Sequence, residues 1–165
     1  MILKLLQHIK IDKNNKNILL NNCVIKFFFI YPLLIGDCML KFGLIGCGRI
    51  GSMHADILYH ENDVMLESVF DLNTNLAKEV SKKTGAMICN NDFELFDNNN
   101  LDAVLIASAT SSHADYIEKA LKNGKPVFCE KPIDLSLDRI RKCYERIKKI
   151  NLPIQIGFNR RFDPS

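Results

Sequence analysis

Phe42-Gly43-Leu44-Ile45-Gly46-Cys47-Gly48-Arg49-Ile50-Gly51 is the stretch whose reading decides the fold. Its first four residues form a short run without polar alternation, the pattern of a strand covered on both faces. Three glycines follow at G-x-G-x-x-G spacing, and residues 50–59 then read as a helix. Outward from this point the hydrophobic period keeps switching. Further strands are expected at 64–70, 86–89, 103–107, 126–129 and 153–157, and helices at 74–83, 93–96 and 114–122, with a last one running to Ile150. Thr74 can cap the second helix and Gly85 stop it, and Asn123-Gly124 end the fourth. Ser136 caps the last helix, which carries Ile140, Cys143, Tyr144, Ile147 and Ile150 along one face.

Six strands alternating with five helices through short links predict an α/β fold, a Rossmann doubly wound parallel sheet with helices on both faces. At 165 residues, 47% hydrophobic and 25% charged, the chain has room for one ordinary domain with a sizeable core. A net charge of +3, mixed in sign, with no tryptophan, gives no basic face of the kind nucleic acid binding requires. The six cysteines, at 23, 38, 47, 89, 129 and 143, form no C-x-x-C pair, so no metal site is expected. Cys89 and Cys129 lie in apolar runs and read as reduced, buried thiols, which fits a cytoplasmic protein.

Residues 1–38 read as a different kind of sequence, crowded with Ile, Leu, Lys, Asn and Phe. The apolar stretch at 27–36 is broken by Pro32 and is shorter than the roughly 20 residues of a membrane span. No small-x-small cleavage site follows it. The preferred reading is that Met39 is the biological start and that 1–38 is a non-native or disordered extension. A targeting segment and a real structural extension are the alternatives. The expected organisation is therefore 1–38 extension, 39–158 nucleotide-binding domain, and 159–165 the start of a second domain.

In the glycine loop, Gly46 allows the tight turn, Gly48 lets the backbone approach a pyrophosphate, and Gly51 lets the helix press on the strand. The free N–H groups of the helix start, at Arg49 and Ile50, attract phosphate. Asp71 ends the second strand 20 residues after Gly51, close to the spacing of about 20 for the acid that binds an adenosine ribose. A carboxylate there accepts the ribose hydroxyls and repels a 2′-phosphate, and Leu72-Asn73 supply no arginine, so NAD rather than NADP is expected. An S-adenosylmethionine-binding methyltransferase uses a related loop and acid. The alternative without ligand is a plain tight turn with a surface carboxylate.

Three later motifs favour the dinucleotide: Ala107-Ser108-Ala109-Thr110-Ser111-Ser112-His113, Glu130-Lys131-Pro132, and the terminal Gly157-Phe158-Asn159-Arg160-Arg161-Phe162-Asp163-Pro164-Ser165. Together with the glycine loop, they resemble the glucose–fructose oxidoreductase / inositol dehydrogenase (Gfo/Idh/MocA) family, its inositol-oxidising branch most of all. The resemblance runs from about Met39 to Ser165. It implies hydride transfer from a hydroxyl-bearing ring carbon of a small polyol or sugar to NAD, in a homo-oligomer, a tetramer, that works without membrane or nucleic acid. It implies that Lys131 reaches the substrate hydroxyl near the nicotinamide, that Glu130 belongs to the cofactor wall, and that Ser108, Thr110 and His113 line the pyrophosphate and nicotinamide-ribose side. Asn159 and Arg161 would meet substrate between two domains.

The residues themselves leave other readings open. A surface lysine is the minor alternative for Lys131 and a helix-start capping residue the alternative for His113, while His54 reads as readily as packed and Asn159 and Arg161 as readily as salt-bridge formers. The family's base is a histidine preceded four residues earlier by an aspartate, in a second, α+β domain. No Asp-x-x-x-His pair lies beyond Gly157, so the chain is expected to bind NAD without turnover. A dehydrogenase of another sugar or polyol, and a non-catalytic NAD-binding module, stay open beside the inositol reading.

Overall fold

The computed structural model describes residues 39–158; the extension at 1–38 and the expected contacts Asn159 and Arg161 lie outside them. Six parallel strands form one sheet: β1 (Leu40–Ile45), β2 (Val64–Phe70), β3 (Met87–Ile88), β4 (Ala103–Ile106), β5 (Val127–Cys129) and β6 (Ile154–Ile156). Between them run α1 (Arg49–Tyr59), α2 (Thr74–Thr84), α3 (Asp92–Phe96), α4 (Thr110–Lys122) and α5 (Leu137–Ile147). The order across the sheet is β3-β2-β1-β4-β5-β6. The chain therefore winds outward one way from β1 and the other way from β4, and the switch point between those two strands is where an open α/β sheet binds its ligand.

The expected doubly wound sheet is what forms, because the central strands bury both faces. Leu44, Val69, Val104 and Ile106 are all fully buried, and every residue of β4 is buried. Buried side chains of this size contribute about 1.5–3 kcal/mol each. Met39–Phe158 forms one compact unit. Among the described residues, no helix is long and apolar enough to cross a membrane, and no group of three His, Cys, Asp or Glu is placed to hold a metal ion.

Several boundaries move. Asn73, not Thr74, caps α2, its side chain accepting from the Asn75 N–H at 3.1 Å, and Gly85 ends the helix. α4 begins at Thr110, four residues before Ala114. The Thr110-Ser111-Ser112 run looks like loop, yet it fills a first turn, where Ser112 Oγ donates back to the Ala109 carbonyl at 2.8 Å. α5 stops at Ile147 rather than Ile150; Ile150 N–H closes a turn onto Ile147, and Pro153 follows shortly after. Tyr144 lies off the buried face of α5, 61% exposed, while Cys143 and Ile147 are buried. β3 is only two residues long, paired with Ser68 and Val69 at the sheet edge.

α4 and α5 are joined by a charged cluster. Buried Glu118 accepts from Arg139 at 2.7 Å and from Arg146 at 3.0 Å. Burial pushes its carboxyl up, but the hydrogen bonds from Arg139 and Arg146 outweigh it and hold the group below its ordinary value. A depressed folded-state value means the cluster stabilises fully above the unfolded-state glutamate range and loses that contribution as pH falls through the folded value. Glu118→Gln should therefore cost about 1–3 kcal/mol at pH 7, with the gap to the parent protein closing as thermal unfolding is followed into acid. An equal gap at pH 7 and pH 3 would contradict this account.

Candidate cofactor and substrate site

The glycine loop turns directly off β1. Gly46 holds φ +91, a conformation L side chains rarely adopt. A Cβ built on Gly51 would stand 1.8 Å from the Gly46 carbonyl oxygen, so the first turn of α1 lies against the loop before it. Gly48 is different. It has an ordinary φ of −65, and a Cβ on it would meet nothing within 4 Å. Among the described residues nothing in the packing calls for glycine at 48, whereas a ligand pressed against the backbone would.

Gly48 is the N-cap of α1 and Ala109 the N-cap of α4, and neither helix has a side-chain cap. α2, α3 and α5 are capped by Asn73, Asn91 and Ser136. The two uncapped N-termini belong to the helices that follow β1 and β4, the strands flanking the switch point. They offer free N–H groups and positive dipole ends where a pyrophosphate would lie. Arg49 is exposed, Ile50 half-buried beside it, and neither first turn carries an acidic residue.

Asp71 follows β2 and is tied to this loop. Its Oδ2 accepts from the Cys47 N–H at 2.6 Å and its Oδ1 from the Asn73 N–H at 2.7 Å. Each oxygen keeps a lone pair for a hydroxyl. The contact with Cys47 was not legible in sequence, since spacing says nothing of which N–H the acid takes. Cys47 itself is buried, and that burial, with the Asp71 carboxylate second, pushes its thiol up to about 12. It is a packing residue of the loop and stays a thiol.

After β4, Ser108 Oγ and Ser112 Oγ share a hydrogen bond at 2.8 Å, and Thr110 opens α4 half-buried. His113 is 2% exposed. Its Nδ1 lies 2.7 Å from the Pro132 carbonyl and its Nε2 2.9 Å from that of Ser108. A neutral imidazole has one ring hydrogen, so the tautomer decides which of the two carbonyls receives it.

After β5 comes the Glu130-Lys131-Pro132 turn, with a cis bond between Lys131 and Pro132. Glu130 Oε1 lies 2.7 Å from His54 Nε2, and Glu130 Oε2 accepts from the Lys131 N–H at 3.2 Å. His54, left open between packing and ligand contact, is a buried partner of Glu130, with its ring edge-on to Phe128 at 5.3 Å. Lys131 is exposed, and among the described residues nothing pairs with its ammonium. The structure thus brings the glycine loop, Asp71, Ser108, Thr110, Glu130 and Lys131 to the carboxyl ends of β1, β2, β4 and β5.

The chain is similar to known proteins over these residues. Residues 40–158 match the family model for the oxidoreductase family with an NAD-binding Rossmann fold (GFO_IDH_MocA). The chain belongs to this oxidoreductase family. The family's cofactor, NAD, is the one expected from Asp71. The inositol 2-dehydrogenase of Rhizobium meliloti (strain 1021) is 38% identical over 125 residues, which make up 76% of this chain and 38% of that protein. The myo-inositol 2-dehydrogenase of Thermotoga maritima is also 38% identical over 125 residues, 75% of this chain and 37% of its own. The solved scyllo-inositol dehydrogenase of Lactobacillus casei, with NAD(H) and scyllo-inositol bound, superposes with a TM-score of 0.71 at 33% identity, over 76% of this chain and 38% of the other. The chain spans about two fifths of the length of these relatives.

Proposed function

We propose that this chain is the NAD-binding part of an inositol 2-dehydrogenase that oxidises myo-inositol to 2-keto-myo-inositol. The observation that carries the cofactor reading is the glycine at 48, which the packing of the described residues does not require, at one of two helix N-termini without a side-chain cap. The inositol reading is supported by the names of the relatives that match the same residues.

The chain's own groups would divide the work simply. The α1 and α4 N-termini hold the pyrophosphate through backbone N–H groups, with Gly46, Gly48, Arg49, Ile50 and Gly51 shaping the loop. Asp71 accepts the adenosine ribose hydroxyls. Ser108, Thr110 and His113 belong to the pyrophosphate and nicotinamide-ribose side, and Glu130 to the wall behind it. The Lys131 ammonium orients the substrate hydroxyl and stabilises negative charge developing on its oxygen, with Asn159 and Arg161 as further substrate contacts. NAD, when bound, supplies the hydride acceptor. The full protein is proposed to be a cytoplasmic tetramer, which light scattering of the complete enzyme would test.

Asp71→Ala should weaken NAD binding about 10- to 100-fold, the equivalent of one or two charge-assisted hydrogen bonds lost. Isothermal titration of the parent and variant with NAD and with NADP reads this directly, and unchanged NAD affinity would remove Asp71 from the site. The 165-residue polypeptide should bind NAD yet produce no NADH with myo-inositol, followed at the NADH absorbance. Turnover would show that its own residues supply the base. On the complete enzyme, myo-inositol, scyllo-inositol and glucose tested side by side separate the inositol reading from another sugar or polyol. NAD binding with no turnover on any of them would favour a non-catalytic module.

A further inference from the structure

We propose that His54 and His113 are positioning residues that clamp the Glu130-Lys131-Pro132 turn from two sides and so set where the Lys131 ammonium stands. The inference deepens the proposed function, resting on Lys131 as the substrate-facing amine. The two imidazoles come from different helices, α1 and α4, whose N-termini flank the switch point. Both are buried, at 6% and 2% exposure.

His54 reaches Glu130 across 76 residues of sequence. Glu130 in turn accepts from the Lys131 backbone, so the link from α1 runs through imidazole and carboxylate to the lysine's own main chain. Gly157 closes on the same carboxylate, since a Cβ there would sit 3.2 Å from Glu130 Oε1. On the other side, the buried His113 ring lies between the Pro132 and Ser108 carbonyls, 2.7 and 2.9 Å away, donating to one and packed against the other, which sets the far end of the turn against the loop that starts α4. Between the two restrained neighbours stands Lys131, exposed and with its side chain unpaired among the described residues. A reactive amine needs this combination of a fixed backbone and a free terminal group. Plain packing does not explain it. A buried imidazole is costly unless its nitrogens are used, and an apolar side chain of similar size would fill the same space without that cost.

The test is nitrogen relaxation of the labelled 165-residue protein without nucleotide, reading amide order parameters at Lys131 and Ile133, with Val104 and Leu105 of β4 as the internal reference. In the parent both turn amides should lie near the rigid value of about 0.85. His54→Leu should drop Lys131, and His113→Leu should drop Ile133, toward about 0.6, with β4 unchanged. Because glutamine can return a donor near the position of the imidazole Nε2, His54→Gln should restore Lys131. Turn amides that stay rigid in both leucine variants would overturn the proposal. So would a loss spread equally over β4, which would make the histidines supports of the whole fold, and so would a failure of His54→Gln to restore order.

A separate NAD titration keeps the two readings apart. The parent failing to bind NAD would remove the cofactor reading while the relaxation result still stood. His54→Leu is expected to keep NAD affinity within about three-fold. A ten-fold or greater loss with a rigid turn would place His54 in the cofactor cradle instead of the clamp.

Discussion

Gly48→Ala is expected to lower NAD affinity by at least about 100-fold, roughly 2.7 kcal/mol, while costing the fold no more than about 1 kcal/mol. The second figure follows from the backbone. Gly48 has φ −65 and ψ −170, which alanine adopts freely, and the added methyl meets no atom of the described residues within 4 Å. What remains is the modest preference for glycine over alanine at an N-cap. The first figure follows from where that methyl would point. It would enter the open space in front of the uncapped α1 N-terminus, where a pyrophosphate must come within hydrogen-bond distance of backbone N–H groups. A methyl there holds the phosphate oxygens off, and the hydrogen bonds and the dipole interaction weaken together. Titration with NAD beside thermal unfolding gives both quantities. Retained affinity would mean that the pyrophosphate does not lie on this loop.

Gly51→Ala should act the opposite way, through the fold. The added methyl would sit 1.8 Å from the Gly46 carbonyl oxygen and 2.8 Å from its carbon. Both are main-chain atoms of a turn already held at φ +91, whose own Cβ position is blocked by the Ala107 and Ser108 backbone at 2.4–2.5 Å. Neither side can rotate away as a flexible side chain would, so α1 must lift off β1 or the loop must unwind. The expected cost is about 3 kcal/mol or more, a large share of the roughly 5–15 kcal/mol that holds a domain together. That corresponds to a fall in Tm of roughly 10–20 °C for a unit of this size. A variant that melts within a few degrees of the parent would show that the loop yields more easily than its geometry implies. The two alanine substitutions, three residues apart, thus separate a glycine needed by the fold from one needed by the ligand.

The G-x-G-x-x-G spacing alone could not make that separation. All three glycines look equivalent in a motif, and only a mechanism distinguishes their roles. Only the neighbours of each absent Cβ show that Gly46 and Gly51 are required by the loop itself while Gly48 is not. The errors in the helix boundaries have a similar cause. Thr110, Ser111 and Ser112 have loop-forming side chains, and nothing nearby in the chain announces that Ala109 turns them into a first helical turn. Tyr144 fits the apolar period of α5 within one position, but only the packing against α4 decides which residues face inward, and those are Cys143 and Ile147.

By itself, the sequence determined the alternation of strands and helices, the glycine turn after β1, the acid after β2 and the family. These depend on signals carried within a few residues, namely side-chain period, apolar runs, backbone freedom and short fixed spacings. The tertiary structure alone decided that Asp71 grips the Cys47 N–H, that His54 meets Glu130 and that His113 lies between the Ser108 and Pro132 carbonyls. Those pairs bring together groups 24, 76 and 19 residues apart. They exist because the sheet order places β1 between β2 and β4, and β4 beside β5, which sets their carboxyl ends side by side. A buried polar side chain must find its partner among whatever the folded chain puts within reach, and no local pattern encodes which group that will be.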